Sequence, residues 1–600
     1  MMKTLILVLS LLGALSQGVV EQNPTASPDS SMVAYTDGGN LFVRSASDTL
    51  QITSDGSSLI LNGYASWVYY EEIFGRSSEY KAFWWSPDSR YLAFYRFDNS
   101  NVRLFPIYSA SGDKGGTLNE TRYPLCGDDN PVVQVGIADM HDGGKIVWAD
   151  FDSSKDQYFG TPFWGKDGKT LFVQHEPRVQ QNLTLFAVDA STGAASEIYS
   201  ETYPTWLDWM EDMLFTDEGL YMVRSFETGW QQIYFLSYDG KTLKRLTSGE
   251  NWRISLEAVD SRRGVVYYTS YTDSDVHACL YSVDGRGRQK LLSDPRFGVS
   301  LISLDVRARK ARVEYENLNT AAFEAELDLR KSDKQPIGDG ASETRKIIYL
   351  KMADGQEVPA TVLLPDGFDP SKRYPLVMEI YGGPDTPYVR DLNFVGNYGM
   401  DRWFRENGII KVYADSRSSG HNGRQGTDLV WRDLTTVPVE DFCTWAREFQ
   451  SWDFVDPARI GVMGFSFGGT MTAMLVMRYP ELFRCGIAGG GVYDWTLYDS
   501  HYTERFMDTP EHNPEGYERA RVLSYVDEYD SDRSYLKITH GTGDDNVHFQ
   551  NTLLLVDSLQ RRGCQFDLMI YPDGMHGYRG AQGRHDRASD KIFWTERLIK

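Results

Sequence analysis

The first half of the chain repeats a short turn followed by alternating strands. Turns such as "SPDS" at 27–30 and "KDGK" at 166–169 precede runs in which apolar and polar residues alternate. Turns of this kind between such runs are typical of antiparallel hairpins. The spacing of the repeats overlaps the ~40–50 residues of a propeller blade, and about six repeats fit before residue 330. We therefore predict a β-propeller domain over residues 24–335.

The pattern changes after a polar, glycine-bearing stretch at 330–343, which is typical of a linker. Beyond it, short apolar runs alternate with helical patterns. These runs lie at 375–381, 408–415, 459–466, 535–541 and 566–572. Strands that alternate with helices predict a mostly parallel, doubly wound sheet. We assign residues 343–600 to this second domain.

Charge and cysteine spacing exclude two classes of protein. The formal net charge is −23, whereas binding to nucleic acid requires a basic face that neutralises phosphates. The 5 cysteines have no CxxC spacing, which argues against a zinc site and favours buried, unpaired thiols. Neither a metal nor a cofactor is therefore expected.

The N-terminus has the pattern of a secretory signal. Lys3 precedes a short apolar run, and small residues follow at Ala14-Leu15-Ser16. This predicts a signal peptide over residues 1–16 and export to the periplasm or the extracellular space. A signal that stays uncleaved and anchors the protein in a membrane is the alternative. Later in the sequence, no apolar run reaches the ~18 residues that a spanning helix needs.

The segment "GFSFG" at 464–468 has the form G-x-S-x-G. It lies between a predicted strand and a predicted helix, which is the context of a nucleophile elbow. In that turn the serine is exposed and glycines occupy positions where side chains would clash. The segment predicts an α/β-hydrolase domain with Ser466 as the nucleophile rather than as a structural serine.

An acid and a histidine follow Ser466 in the order that α/β-hydrolases use. "TGDDN" comes after the strand at 535–541, and "DGMHGY" comes after the strand at 566–572. Both ends meet at the carboxyl edge of a parallel sheet. His576 is the predicted base, and either Asp544 or Asp545 can be the acid that orients it. The alternative role for an Asp-Asp pair is a turn or a helix cap. His501, His540 and His548 are rival histidines, which we disfavour because they precede or adjoin the acid.

The predicted oxyanion donors come from two places. One is the backbone N–H of Phe467, the residue after the nucleophile. The other lies in "YGGP" at 381–384, where either a backbone amide or the Tyr381 hydroxyl can donate. Tyr381 could instead only pack at the end of its strand.

Several longer segments resemble the prolyl oligopeptidase family of serine peptidases, closest to its dipeptidyl peptidase IV branch. They are "WVYYEEIF", "YGGP", "GFSFGG", "YDSHYTERF", "HGTGDDNVHF" and "DGMHG". The resemblance implies a propeller of about eight blades on an α/β-hydrolase, and cleavage after a penultimate proline or alanine. It favours Asp544 over Asp545 as the acid and Tyr381 as a side-chain oxyanion donor. It also implies that Asn546 holds a substrate carbonyl and that five residues wall the proline pocket, namely Val492, Trp495, Tyr498, Tyr502 and Val547.

The same resemblance implies that Glu71 and Glu72, in "WVYYEEIF", bind the free ammonium of a peptide. Neighbouring residues of a strand face opposite sides, so the segment must form a helical turn or a bulge for both carboxylates to converge. Two alternatives remain for the pair. It could be an exposed acidic loop, or a nearby arginine such as Arg76 could neutralise it.

The sequence thus predicts an exported serine exopeptidase that releases N-terminal dipeptides. A prolyl tripeptidyl peptidase is the alternative within the family. The alternative of another class is a catalytically impaired binding protein, because family members carry a longer N-terminal region and this propeller could be incomplete. Phe467 also replaces the tyrosine that is usual after the nucleophile. The expected partners are peptides with a free N-terminus, and a second copy of the chain in a homodimer is a further candidate.

Overall fold

The computed structural model describes residues 20–112, 114–338, 340 and 342–600. The predicted signal peptide at 1–16 lies outside these ranges.

Six antiparallel sheets follow one another along the first half of the described chain. The first contains β1–β4 (Gln22–Ala26, Val33–Asp37, Asn40–Arg44, Thr49–Gln51). The second contains β5–β7 (Ile60–Asn62, Phe83–Trp85, Tyr91–Asp98) with β10 and β11 (Val132–Asp139, Lys145–Trp148). The third contains β12–β16 (Gln157–Phe159, Phe163–Trp164, Thr170–Pro177, Asn182–Asp189, Ala195–Thr202).

The remaining three sheets complete this half. The fourth contains β17–β20 (Met213–Phe215, Gly219–Arg224, Gln232–Ser237, Leu243–Arg245). The fifth contains β21–β24 (Ser255–Asp260, Val265–Ser270, Cys279–Asp284, Gln289–Leu291), and the sixth contains β25–β27 (Gly298–Asp305, Lys310–Asn317, Thr320–Asp328). A separate hairpin, β8 and β9 (Leu104–Ser109, Thr117–Arg122), projects between β7 and β10. Six sheets agree with the six repeats in the sequence, and the predicted β-propeller class is confirmed.

Burial on both faces explains the many aromatic residues of the propeller. Phe94 and Tyr95 are neighbours on β7 and so point to opposite faces, yet each is 0% exposed. A strand can bury both faces only when its sheet packs against other layers on each side, as a propeller blade does.

A single sheet of eight strands forms the second half. Its order is β28-β29-β31-β30-β32-β33-β34-β35. The strands are Arg345–Lys351, Glu357–Leu363, Tyr374–Ile380, Ile410–Ala414, Val455–Phe465, Cys485–Gly489, Tyr535–Gly541 and Asp567–Tyr571 for β28–β35. Two pairs of neighbouring strands are antiparallel, β28 with β29 and β29 with β31. All other neighbours in the sheet, including both neighbours of β30, pair in parallel. The mostly parallel, doubly wound sheet is therefore confirmed.

Eight α-helices and several single turns connect or cover these strands in the described chain. The helices α1–α8 are Gly399–Glu406, Gly423–Thr427, Thr436–Gln450, Phe467–Arg478, Ser500–Met507, Pro514–Ala520, Gln550–Arg561 and Gly580–Trp594. The shorter helical turns are Tyr69–Ile73, Arg76–Ser78, Met140–Asp142, Arg417–Ser419, Asp428–Val430, Trp495–Leu497, Val522–Glu528 and Thr595–Ile599. No helix in this part of the chain is both long and apolar enough to cross a membrane. All five cysteines are free thiols and four are buried, as expected from their spacing.

Helix α4 is buried along nearly its whole length. Every residue from Phe467 to Met477 is buried, which marks an interior helix rather than an amphipathic surface helix. Since α4 begins directly after Ser466, the start of this helix cannot shift without repacking the core.

The far side of the same sheet depends on Trp594. This residue is 0% exposed, and a Cβ on Gly461 of β32 would lie 2.5 Å from its ring. We expect Trp594→Ala to lower the free energy of unfolding of the hydrolase domain by about 3–5 kcal/mol, because it leaves a large cavity. Trp148→Ala is the control, since Trp148 is 40% exposed, and should cost less than about 1 kcal/mol. Urea unfolding followed by circular dichroism measures both; equal losses would contradict this assignment of the core.

Candidate active site

Ser466 occupies a strained turn between β32 and α4. Its backbone has φ 59° and ψ −122°, a conformation that a residue with a side chain rarely adopts and that the surroundings must enforce. The neighbouring glycines allow the close packing that does so. A Cβ on Gly468 would lie 2.4 Å from the carbonyl oxygen of Ile380, and one on Gly464 would lie 2.5 Å from that of Gly468. This is the geometry that the "GFSFG" segment predicts.

Asp544 and His576 come together at the ends of adjacent strands. Asp544 follows β34, His576 follows β35, and His576 Nδ1 lies 2.7 Å from Asp544 Oδ2. The other oxygen, Oδ1, accepts the backbone N–H groups of Asn546 and Val547 at 3.0 Å each. A proton on Nδ1 leaves Nε2 of His576 as the ring nitrogen free to accept a proton. Asp545 instead forms an ion pair with Arg76, so the geometry distinguishes the two aspartates.

A second histidine, His540, supports the same carboxylate. Its Nε2 lies 3.4 Å from Asp544 Oδ2 and 2.8 Å from the carbonyl oxygen of Val547. Burial by itself would raise the pKa of Asp544, but hydrogen bonds from His540 and His576 outweigh burial and hold that pKa below its usual range. Asp544 therefore stays ionised. The four-residue spacing between His540 and Asp544 is the only sequence signal for this contact, which the prediction of His540 as a rival base misses.

The other rival histidines are enclosed away from the turn. His548 is 1% exposed and stacks on Phe105 with ring centroids 3.5 Å apart. Burial lowers the pKa of His548 to about 3 and that of His501 well below its usual value. Both rings are therefore neutral, and the structure brings neither beside Asp544 as it does His576.

Tyr381 stands at the end of β30, next to the nucleophile. Its hydroxyl faces the side chain of Ser466; burial raises the pKa of this phenol, and the interaction with Ser466 opposes that effect in part. The ring lies 5.4 Å from that of Tyr388 in a stacked arrangement, and 5.9 Å from that of Phe467. The residue thus both packs at the strand end and directs its hydroxyl to the site. Phe467 is the first residue of α4, and its backbone N–H has no hydrogen-bond partner among the described residues, as is usual at the start of a helix.

The five residues of the predicted proline pocket form one apolar wall. Trp495 and Tyr502 have nearly parallel rings 6.3 Å apart, and Tyr498 stands edge-on to Tyr502 at 5.5 Å. Val492 and Val547 are 2% and 0% exposed. A flat aromatic wall suits a rigid five-membered ring and disfavours charged side chains.

Glu71 and Glu72 lie on a single helical turn, Tyr69–Ile73, as their convergence requires. Asn546 Nδ2 donates to Glu71 Oε1 at 2.8 Å, and the Tyr498 hydroxyl donates to Asn546 Oδ1 at 2.6 Å. The propeller turn is thereby linked to the aromatic wall of the hydrolase. The pair is not an exposed acidic loop, since the side chain of Glu71 is only 12% exposed. Arg76 neutralises Glu71 in part, as the other alternative anticipated.

The electrostatics around Glu72 favour a cationic ligand. Glu72 lines a cavity of about 340 Å³ between the propeller and the hydrolase. Burial is the main cause that raises its pKa, and the charges of Asp499 and Glu71 add to it, while Arg505 and Arg76 oppose it. Burial likewise raises the pKa of Asp499 to about 7. Burial and nearby negative charges disfavour the ionised form of these carboxylates, and a cation that binds between them stabilises that form.

The assembled groups are those of acyl transfer, namely a serine, a histidine with its carboxylate, and two candidate oxyanion donors. The ring of Phe467, next to the serine, lies 5.4 Å from that of Trp495, and this contact joins the assembled groups to the aromatic cluster of the predicted proline pocket. Within the described ranges, no three His, Cys, Asp or Glu side chains are grouped so as to hold a metal ion.

Comparison with known families agrees with both halves of the chain. Residues 14–321 match the dipeptidyl peptidase IV (DPP IV) N-terminal region, and residues 400–600 match the prolyl oligopeptidase family. The chain belongs to the prolyl oligopeptidase family. Among this family's members, the probable dipeptidyl-aminopeptidase B of Uncinocarpus reesii is 30% identical over 94% of this chain and 66% of its own. The dipeptidyl-aminopeptidase B of Aspergillus niger is 31% identical over 92% and 65%. The chain thus spans slightly less than two thirds of these relatives.

Solved structures of the family share the whole architecture. The dipeptidyl peptidase 4 of Porphyromonas gingivalis superimposes with a TM-score of 0.87 at 27% identity, covering 97% of this chain and 84% of its own. A putative dipeptidyl aminopeptidase IV from Bacteroides ovatus has a TM-score of 0.83 at 25% identity, covering 96% and 84%. The propeller-plus-hydrolase fold is therefore shared along nearly all of this chain.

The geometry predicts that Asp544, rather than any nearby acid, supports the reactivity of Ser466. Asp544→Asn removes the acceptor that fixes the His576 tautomer, so we expect the rate of phosphonylation of Ser466 to fall by about 10⁴-fold. Asp557→Asn is the control, because Asp557 is an exposed acid on α7 paired with Arg561. The rate is measured with a small fluorophosphonate and intact-protein mass spectrometry. An Asp544→Asn protein that reacts within tenfold of the native rate would sink the assignment.

Proposed function

We propose that the protein is a serine exopeptidase that releases N-terminal dipeptides with proline or alanine in the second position. The observation that carries this proposal is the hydrogen-bonded chain from Glu71 through Asn546 to Tyr498. It makes the candidate ammonium site adjoin the candidate proline pocket. A peptide whose amino group is held at the glutamates and whose second side chain fills that pocket presents its second peptide bond to Ser466. The signal predicted at 1–16 supports export of this activity.

The reaction follows from the roles of the assembled groups. Ser466 Oγ attacks the carbonyl carbon after the second residue while His576 Nε2 takes its proton. The oxyanion that forms accepts hydrogen bonds from the Phe467 backbone N–H and the Tyr381 hydroxyl. The C–N bond then breaks as the leaving amine takes the proton from His576. Water, activated by the same histidine, hydrolyses the acyl-enzyme and frees the dipeptide.

The short distance between the candidate ammonium site and the candidate proline pocket favours release of dipeptides rather than tripeptides. Asn546 touches both Glu71 and Tyr498, so a single side chain separates the ammonium site from the pocket wall. A tripeptidyl peptidase would need room for one more residue at this point. The names of the solved relatives support the same choice, since one is called a dipeptidyl peptidase and the other a putative dipeptidyl aminopeptidase.

The proposal is tested by the need for a free amine. Native protein should cleave Gly-Pro-p-nitroanilide and act poorly on its N-acetylated form, because acetylation removes the cation. Changing both Glu71 and Glu72 to Gln should lower kcat/KM for the free-amine substrate about 30- to several-thousand-fold, corresponding to ~2–5 kcal/mol for a desolvated charge pair. Phosphonylation of Ser466 should stay near the native rate. Ser466→Ala gives the background rate of the assay. Equal cleavage of free and acetylated substrates would rule out an amine clamp.

The raised pKa values predict how binding depends on pH. As the pH falls through about 7, Asp499 takes up a proton, and acidification also protonates Glu72, whose pKa burial raises well above its usual value. The substrate amine, with a pKa of about 8, stays charged. The site loses negative charge, so the KM for Gly-Pro-p-nitroanilide should rise as the pH falls from about 7.5 to 5.5. Glu72→Gln should flatten this trend in KM. A native KM that is constant or decreases on acidification would contradict the titration of these acids.

A further inference from the structure

Arg76 contacts two carboxylates and one aromatic ring at the boundary between the domains. Its Nε forms an ion pair with Glu71 Oε2, and its Nη2 donates to Asp545 Oδ1 at 2.9 Å. Its guanidinium also lies 5.5 Å from the centre of the Tyr70 ring. Glu71 and Tyr70 belong to the propeller turn, whereas Asp545 follows the acid Asp544 on the hydrolase. The bridge therefore spans the two domains beside the site.

The local backbone directs Arg76 back toward Glu71. The helical turn that carries the glutamates ends at Ile73, and Gly75 then adopts φ 74° and ψ 153°. This region of backbone space is open essentially to glycine alone. The reversal starts a second short turn, Arg76–Ser78, so that a residue only five positions after Glu71 faces it.

The bridge makes the two glutamates unequal. Both oxygens of Glu71 are engaged, Oε1 by Asn546 and Oε2 by Arg76. Glu72 forms no hydrogen bond or ion pair with a side chain of the described residues, and it lines the cavity between the domains. Glu72 is thus the glutamate of the pair whose carboxylate remains available to a charged ligand.

We propose that Arg76 is a positioning residue that ties Glu71 to Asp545, so that Glu72 is the main charge partner of the substrate ammonium. This inference rests on the proposed exopeptidase function and assigns the parts of its amine site. Arg76 does not touch the reacting atoms in this scheme. It fixes how far the propeller turn stands from Ser466, which in turn fixes the peptide bond that is cut.

The charge balance of the region supports this division. Glu71, Glu72, Asp545 and Asp499 converge here, and four carboxylates without cations would repel one another. Arg76 contacts two of them, Glu71 and Asp545, through a planar guanidinium whose separate N–H groups can reach two carboxylates at once. The guanidinium carries a single positive charge, so net negative charge remains near Glu72; Arg505 opposes it in part, and one ammonium from a substrate would offset it further.

Single substitutions test whether Glu72 contributes more than Glu71 to binding of the substrate ammonium. We expect Glu72→Gln to raise the KM for Gly-Pro-p-nitroanilide more than Glu71→Gln does, with the larger effect about 100-fold and the smaller about tenfold. The values of kcat should change much less, because the ammonium contact is formed in both the ground state and the transition state. An effect of Glu71→Gln that equals or exceeds that of Glu72→Gln overturns the proposal.

Substitutions of Arg76 test the bridge. Arg76→Met should raise the same KM about 10- to 100-fold and reduce the preference for free over acetylated substrate. Arg76→Lys should recover part of the loss, since lysine keeps the charge but lacks the planar fork. Arg90→Met is the matched control, because Arg90 is 37% exposed, pairs with Asp139 and lies 4.7 Å from a tyrosine ring, against 38% and 5.5 Å for Arg76.

The outcomes separate this inference from the proposed function. If native protein fails to cleave Gly-Pro-p-nitroanilide while Ser466 still reacts with a fluorophosphonate, the exopeptidase function fails. If native protein cleaves it but Arg76→Met keeps the native KM and the native preference for a free amine, only the role of Arg76 is overturned. A loss of kcat that is equal for free and acetylated substrates would mark Arg76 as merely structural and would overturn the role as well.

Discussion

The candidate active site depends on a backbone approach that only glycine permits. At the end of β32 the chain must reverse into α4 within one residue, and Ser466 accepts a left-handed conformation to do so. Gly468 packs its Cα against the carbonyl of Ile380, which fixes the helix against the neighbouring strand β30. Because Tyr381 directly follows that strand, the same contact sets the position of the predicted oxyanion donor. The nucleophile and its electrophilic partner are thus placed by one packing constraint.

The second constraint is the meeting of the domains around buried charge. Helix α5 carries Tyr502 of the aromatic wall and also Glu504, which accepts from Arg178 Nε of the propeller at 2.5 Å. Its N-cap, Asp499, accepts the backbone N–H of Tyr502 at 2.8 Å while it faces the glutamates. Such a carboxylate is costly in isolation and becomes favourable when a cation arrives. The site therefore concentrates carboxylates where, under the proposed function, a peptide ammonium would stabilise their charged forms.

Much of the fold could be read from sequence because it rests on local periodicity. The strand expected at 535–541 is β34 to the residue, and the one expected at 566–572 is β35 with its ends shortened. We did not identify β28 and β29, the antiparallel strands that begin the sheet, or β33. The last of these, "CGIAG", is short and carries two glycines, so its apolar run is too brief to distinguish from a loop.

The sequence by itself determined the two architectures, the nucleophile elbow and the order of serine, acid and histidine. Each of these depends on residues that are close in the chain or on strand ends that parallel pairing must bring together. The residues alone left Asp544 and Asp545 open, the family resemblance favoured Asp544, and the tertiary structure supplies the contact that separates them; only the tertiary structure distinguished Glu71 from Glu72. In both pairs the two residues are chemically identical neighbours, so no local pattern separates them. What separates them is a contact with a residue distant in sequence, namely His576 for Asp544 and Asn546 for Glu71. The first contact is set by the pairing of β34 with β35, and the second by how the propeller and the hydrolase sheet pack together.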